Sequence, residues 1–310
     1  MIAGRAKYVA RWAEIFMNIE VNWRPHLAVS SLHAAELASR KQPIADSRLA
    51  DALTQPALHL AGEIRAAGLP PVRFWRHLIP LAANLSDRRQ LIETAVTKTI
   101  GRGVQFESIV SYLAASLVAV DRAVREALPD LTDELALRER PLREQWEARG
   151  AGMLHEIGRL TDEALIPPNC DVLLVHPALG GGGEAHLAYN SVRIEAVLAN
   201  PVSELPEAVR LAWLIAQLQL DLPVHSEGIH ADRLPHIAHY AMLPATLIAA
   251  ESVELVRFAP DALHRAIAAW RLAMPRGVDA AALISEWWQT YQEARPPWNV
   301  ALAALDQMFG

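Results

Sequence analysis

Apolar residues in the first half of the chain recur with a helical period. Phe106, Val110, Leu113, Leu117, Val120 and Val124 are spaced 4-3-4-3-4, which sets all six on one face of a helix. Asp121, Arg122, Arg125 and Glu126 fall on its other faces. Prolines at Pro25, Pro43, Pro56, Pro70, Pro71, Pro129 and Pro141 punctuate this pattern. Because proline lacks a backbone donor and crowds the preceding turn, each is expected to end one helix before another begins. About eight helices up to residue 165 follow from that punctuation.

The period changes at Ile166-Pro167-Pro168-Asn169. Asp171 to His176 is a short, β-branched apolar run closed by Pro177, and reads as a strand. Four glycines, Gly180 to Gly183, follow and lead into a second extended stretch. Between His186 and Leu198, Val192, Ile194, Ala196 and Leu198 alternate with Arg193, Glu195 and Val197, the pattern of a half-buried strand. From Pro206 to Leu220 the chain is helical and apolar on nearly every side, so this helix is expected to be buried. Helical periodicity then continues to the C-terminus. The pattern predicts a mainly α fold with a small inserted β-sheet, an α+β arrangement. A helical region, residues 1–165, joins a second region, residues 166–310, in which a small sheet and helices surround a buried central helix. The proline-rich junction is too short and stiff for a tether, so the two are expected to pack as one compact unit.

Composition narrows the class. The 310 residues are 52% hydrophobic and 21% charged, unlike a disordered chain, and the single cysteine excludes a disulfide scaffold. The longest apolar stretch, Leu211 to Leu220, carries Gln217 and Gln219 and falls well short of a membrane span. Residues 1–150 hold 20 basic and 17 acidic side chains, and residues 151–310 hold 9 and 18. The local basic excess between Arg65 and Arg102 reads as solvated helix faces, and neither a nucleic acid nor a membrane is expected as a partner. The N-terminus, MIAGRAKYVARWAEIF, interrupts every apolar run with charge, so no secretory leader is expected and the cytoplasm is the default.

Candidate chemistry is sparse. Gly180, Gly181, Gly182 and Gly183 could form a flap over a cleft, but neither the dinucleotide fingerprint nor the P-loop is present, and a hairpin connector is the plainer reading. His155-Glu156 begins a His-Glu-x-x-His motif, yet Arg159 replaces the second histidine and cannot bind a metal. His225, His230, His236 and His239, with Glu227 and Asp232 among them, could supply ligands to zinc or another divalent transition metal, although their spacing matches no known ligand set. Trp287, Trp288 and Trp298 read as core aromatics. Cys170 has no basic neighbour in sequence to stabilise a thiolate, and no G-x-S-x-G elbow occurs.

The order of elements from about residue 170 to 255 resembles that of the zincin metallopeptidases. Ser191 to Leu198 resembles their edge strand, Glu207 to Leu220 their active-site helix, and Glu251 their downstream glutamate ligand. Trp213-Leu214-Ile215-Ala216-Gln217 stands where His-Glu-x-x-His belongs, which removes both histidine ligands and the general base. The resemblance implies a zincin-like scaffold without peptidase chemistry. The expected function is non-catalytic binding of a partner protein or a small molecule, without a cofactor, and Trp213 and Gln217 join the glycines as cleft candidates. The alternative is a metal-dependent hydrolase with ligands from the His225–His239 stretch, namely His236, His239, Glu227 and Asp232, with Glu251.

Overall fold

A computed structural model describes residues 19–259, 261–273 and 277–310. The N-terminal stretch read above for a leader, residues 1–16, lies outside them. The fold is mainly helical with one four-stranded sheet, as the periodicity predicts. Two compact units are present. The sheet unit comprises Trp23–Leu142 and Val172–Pro201; the C-terminal unit comprises Arg143–Asp171 and Val202–Gly310, with the described residues before Trp23.

The sheet unit begins in strand β1 (Glu20–Pro25) and continues through helices α1 (Leu27–Ser39), α2 (Ser47–Ala66), α3 (Pro71–Leu81), α4 (Arg88–Ile100) and α5 (Phe106–Ala127). The starts of these helices follow their caps. Asp46 accepts from the amides of Arg48 and Leu49, Asp87 accepts from Gln90, and Pro71 opens α3, where its missing donor does no harm. The α5 stripe behaves as its spacing predicts: all six apolar residues are buried, against α2 among other elements.

Helix α6 (Leu131–Leu160) runs on through Pro141, and α2 runs through Pro56, so neither proline ends a helix. Each removes one backbone bond, but buried neighbours such as Leu53, Ala57, Leu60 and Leu142 hold the helix in register across the gap.

The strand order is β1-β2-β4-β3, with β2 at Asn169–Val175, β3 at Gly183–His186 and β4 at Ser191–Glu195. The Glu20 amide donates to the Pro168 carbonyl and the His26 amide to the Leu174 carbonyl; this constant offset makes β1 parallel to β2. Strand β3 is antiparallel to β4, with Gly183 opposite Ile194 and His186 opposite Ser191. Two expectations are corrected here. The first region contains a strand, β1, as well as helices. The strand likened to a zincin edge is an inner one: β4 ends at Glu195, β3 forms the edge, and β4 is buried on both faces.

In the C-terminal unit, α7 (Glu207–Ile215) is buried at every residue, and burial continues through the turns to Leu218. Around it come α8 (Pro223–Ser226), α9 (Leu234–Ala241), α10 (Leu243–Ser252), α11 (Ala262–Ala269), α12 (Ala280–Ala294) and α13 (Trp298–Phe309). Trp287, Trp288, Tyr291 and Trp298 form one aromatic cluster in which the Trp287 indole donates to the Ala301 carbonyl at 2.8 Å. All four are buried.

Candidate functional site

The sheet unit contains a cleft of about 470 Å³. The start of α1, the chain between α3 and α4, and one side of α5 form its walls. Its apolar floor includes Leu32, Leu91, Leu117 and Leu135, each largely buried by packing behind the cleft. Local sequence sets the geometry at its edge. His26 caps α1 by accepting from the Val29 amide at Nδ1 (3.3 Å), which leaves the proton on Nε2. Burial, then the charge of Arg24, lowers the His26 pKa against a raising hydrogen bond to the Ala83 carbonyl, so the ring is neutral near pH 7. Arg24 ties down the chain after α3 by donating to the Ala83 carbonyl (2.5 Å) and to Asn84 Oδ1 (3.0 Å). Arg88, at the first position of α4, reaches Asp121 on α5 at 2.7 Å, and Arg125 stands one turn further along α5, exposed to solvent.

A second arrangement in the same unit is a buried ionic layer. Ser191, Arg193 and Glu195 share one face of β4 and, through the antiparallel register, lie beside His186 and Glu184 of β3. Helix α1 supplies partners. His33 Nε2 lies 2.7 Å from Glu195 Oε1, and Arg193 donates to Glu36 at 3.1 Å and to Glu184 at 2.7 Å. The glycine run completes the layer. The Leu179 and Gly181 amides donate to the two Glu195 carboxylate oxygens at 2.7 and 2.6 Å. That turn needs glycine: Gly180 has φ +76°, Gly181 has φ +129°, and a Cβ at Gly181 would lie 2.5 Å from Pro201 Cγ. Gly181 and Gly182 are buried.

Burial by itself would raise the Glu195 pKa, but the His33 hydrogen bond and charge, with the two amides, outweigh it and hold the carboxylate below its ordinary range. His186 is the opposite case. Its ring is 2% exposed, neither nitrogen has a hydrogen-bond partner among the described residues, and burial pushes its pKa down to about 3. It is therefore neutral, beside a Ser191 hydroxyl that is likewise unpartnered.

The other sequence candidates lie in the C-terminal unit. Trp213 is buried with its indole donating to the His239 carbonyl at 2.9 Å, and its ring lies tilted against Trp270 with centroids 4.8 Å apart. Gln217 is fully buried and donates to the Trp213 carbonyl at 2.9 Å. The His236 and His239 rings meet edge-on, 6.4 Å between centroids. Glu227 and Asp232 are exposed, and Glu251 accepts from the Phe258 amide at 3.0 Å. Among the described residues no group of three or more histidine, cysteine, aspartate or glutamate side chains is placed to hold a metal ion. Glu156 is ion-paired with Arg159, and burial followed by the Asp171 charge raises the Cys170 thiol to about 12, so it stays protonated.

Sequence reasoning did not find the cleft. Asp121 and Arg125 were visible as the polar face of α5, but nothing local marks that face as bordering a cavity. No family model, curated protein or solved structure matches the chain.

Proposed function

We propose that the protein acts by binding a small molecule, without catalysing its conversion, and that the cleft of the sheet unit is the binding site. The cleft itself carries this reading. Its volume of about 470 Å³ lies within the range of small-molecule pockets, and its lining combines leucines with polar and charged side chains, as theirs do. Arg88, Asp121 and Arg125 bind and orient. The lining histidine, His26, spends its acceptor nitrogen on the Val29 amide, and the Ser31 hydroxyl donates to the Leu27 carbonyl, so neither is set as base or nucleophile.

The same proposal takes the chain as a zincin-like scaffold without peptidase chemistry. An antiparallel hairpin, β3–β4, precedes a fully buried helix, α7, and this order supports the reading. Trp213 and Gln217 have the i, i+4 relation of the zincin histidines, but their N–H groups are engaged by backbone carbonyls. Neither side chain is a competent zinc ligand. No helix among the described residues is long and apolar enough to cross a membrane, and with the single buried thiol this favours the reducing cytoplasm as the place of action.

A thermal-shift screen of small molecules tests the binding reading. Wild-type protein should give stabilising compounds whose effect disappears in Ala28→Leu, which extends a side chain from the cleft wall on α1. Compounds that stabilise both proteins equally, or a screen with no stabilising compound, would contradict it.

A further inference from the structure

We propose that the cleft selects an anionic amphiphile: a monocarboxylate on an apolar body that a cleft of about 470 Å³ can enclose. This rests on the small-molecule reading and adds the ligand class. Leu32, Leu91, Leu117 and Leu135 offer hydrocarbon for an alkyl or aryl body, among polar lining groups such as Ser31, Asn84 and Thr132. Charge at the edge is unbalanced. Among the lining residues Arg88 and Arg125 are cationic and Asp121 is anionic. Both Arg88 Nε and Nη2 lie on the same Asp121 oxygen, at 2.8 and 2.7 Å, so that carboxylate is neutralised in place.

Arg125 follows Asp121 by one helical turn, so its guanidinium arises from the same face of α5 and can reach a carboxylate at the cleft mouth. Arginine suits this role because its planar fork meets a carboxylate with two parallel hydrogen bonds. The first turn of α1, which also lines the cleft, contains no acidic residue to oppose an anion. A cationic amphiphile would face net positive charge, and a neutral one would leave Arg125 with water as its partner.

Titration calorimetry of the whole protein with decanoate, decan-1-ol and decyltrimethylammonium tests the assignment. Decanoate should bind at least about tenfold more tightly than decanol, the ammonium ion should be weakest, and added salt should erode the decanoate advantage. Arg125→Gln, at an exposed position that should not disturb folding, should bring decanoate down to the affinity of decanol and leave decanol unchanged. Equal binding of decanoate and decanol to wild type would overturn the charge assignment while the small-molecule reading stands. So would silence from all three probes while the compound screen yields cleft-dependent ligands. If the probes and the screen are both silent, the binding reading itself fails.

Discussion

The interiors of the two units contrast. In the C-terminal unit α7, which the zincin resemblance sets at a catalytic cleft, is itself packed in: Trp213 lies against Trp270 and the His239 ring and holds the His239 carbonyl. A hollow of about 640 Å³ lined by Glu204, Glu251 and Arg265 takes no residue from α7. In the sheet unit an apolar floor of comparable quality is left open over about 470 Å³. Burial is similar in kind but the consequence differs. A filled interior stabilises, whereas leucines facing a void forgo contacts that a ligand can restore. On this reading the scaffold binds in the sheet unit, and the surroundings of α7 serve as core.

The largest expected effect sharpens that contrast. Trp213→Ala should destabilise the protein by about 3–5 kcal/mol in urea unfolding, because a packed indole leaves a cavity that its neighbours cannot close. Leu117→Ala should lose less, about 2–3 kcal/mol, because one side of Leu117 already faces the cleft. Equal losses at the two positions would break the comparison.

Acid should act on the sheet unit's ionic layer in two stages. His186 has its folded pKa depressed to about 3 from 6.5, so the unfolded chain takes up a proton first. Its contribution is complete above pH 6.5 and declines as pH falls toward 3, at up to about 1.4 kcal/mol per pH unit. Glu195 has its folded pKa depressed below 4.5, so its contribution holds above that value and is lost as pH falls through the folded pKa. Stability measured against pH should therefore slope gently below 6.5 and steepen below 4.5. His186→Leu should reduce the slope throughout the range from 6.5 to 3, by up to about 1.4 kcal/mol per pH unit, and leave the Glu195 share of the slope below 4.5 in place. An unchanged slope in that variant would remove His186 from the account.

Gly181→Ala should destabilise by about 1–3 kcal/mol, since alanine disfavours φ +129° and its methyl group would strike Pro201. Amide exchange at Gly181 should be slow in wild type, where Glu195 holds that N–H, and faster in Glu195→Gln. Fast exchange in wild type would mean that the carboxylate does not organise the glycine turn.

What could be read from the chain divides along the range of the interactions. The α5 stripe, the burial of α7 and the glycines leading into β3 are local patterns, and each follows from the spacing of neighbouring residues. Strand β1 carries no local signal because its partner is β2, and Asn22 meets Asp171 across 149 positions. Strand β4 reads as half-exposed because Arg193 and Glu195 look like a solvent face. Their partners, Glu36 and His33, lie 157 and 162 positions away on α1. Pro56 and Pro141 read as breaks because tertiary packing across them is invisible to local rules. The cleft was illegible for the same reason: a void is defined by what several distant elements fail to fill.

The central claim, that binding belongs to the sheet unit and not to the surroundings of α7, is tested most directly by a crystal structure of the protein grown with decanoate. The account predicts electron density for the ligand between α1 and α5, its chain against Leu32 and Leu117 and its carboxylate toward Arg125. An empty cleft with the ligand seated beside Trp213 would contradict it.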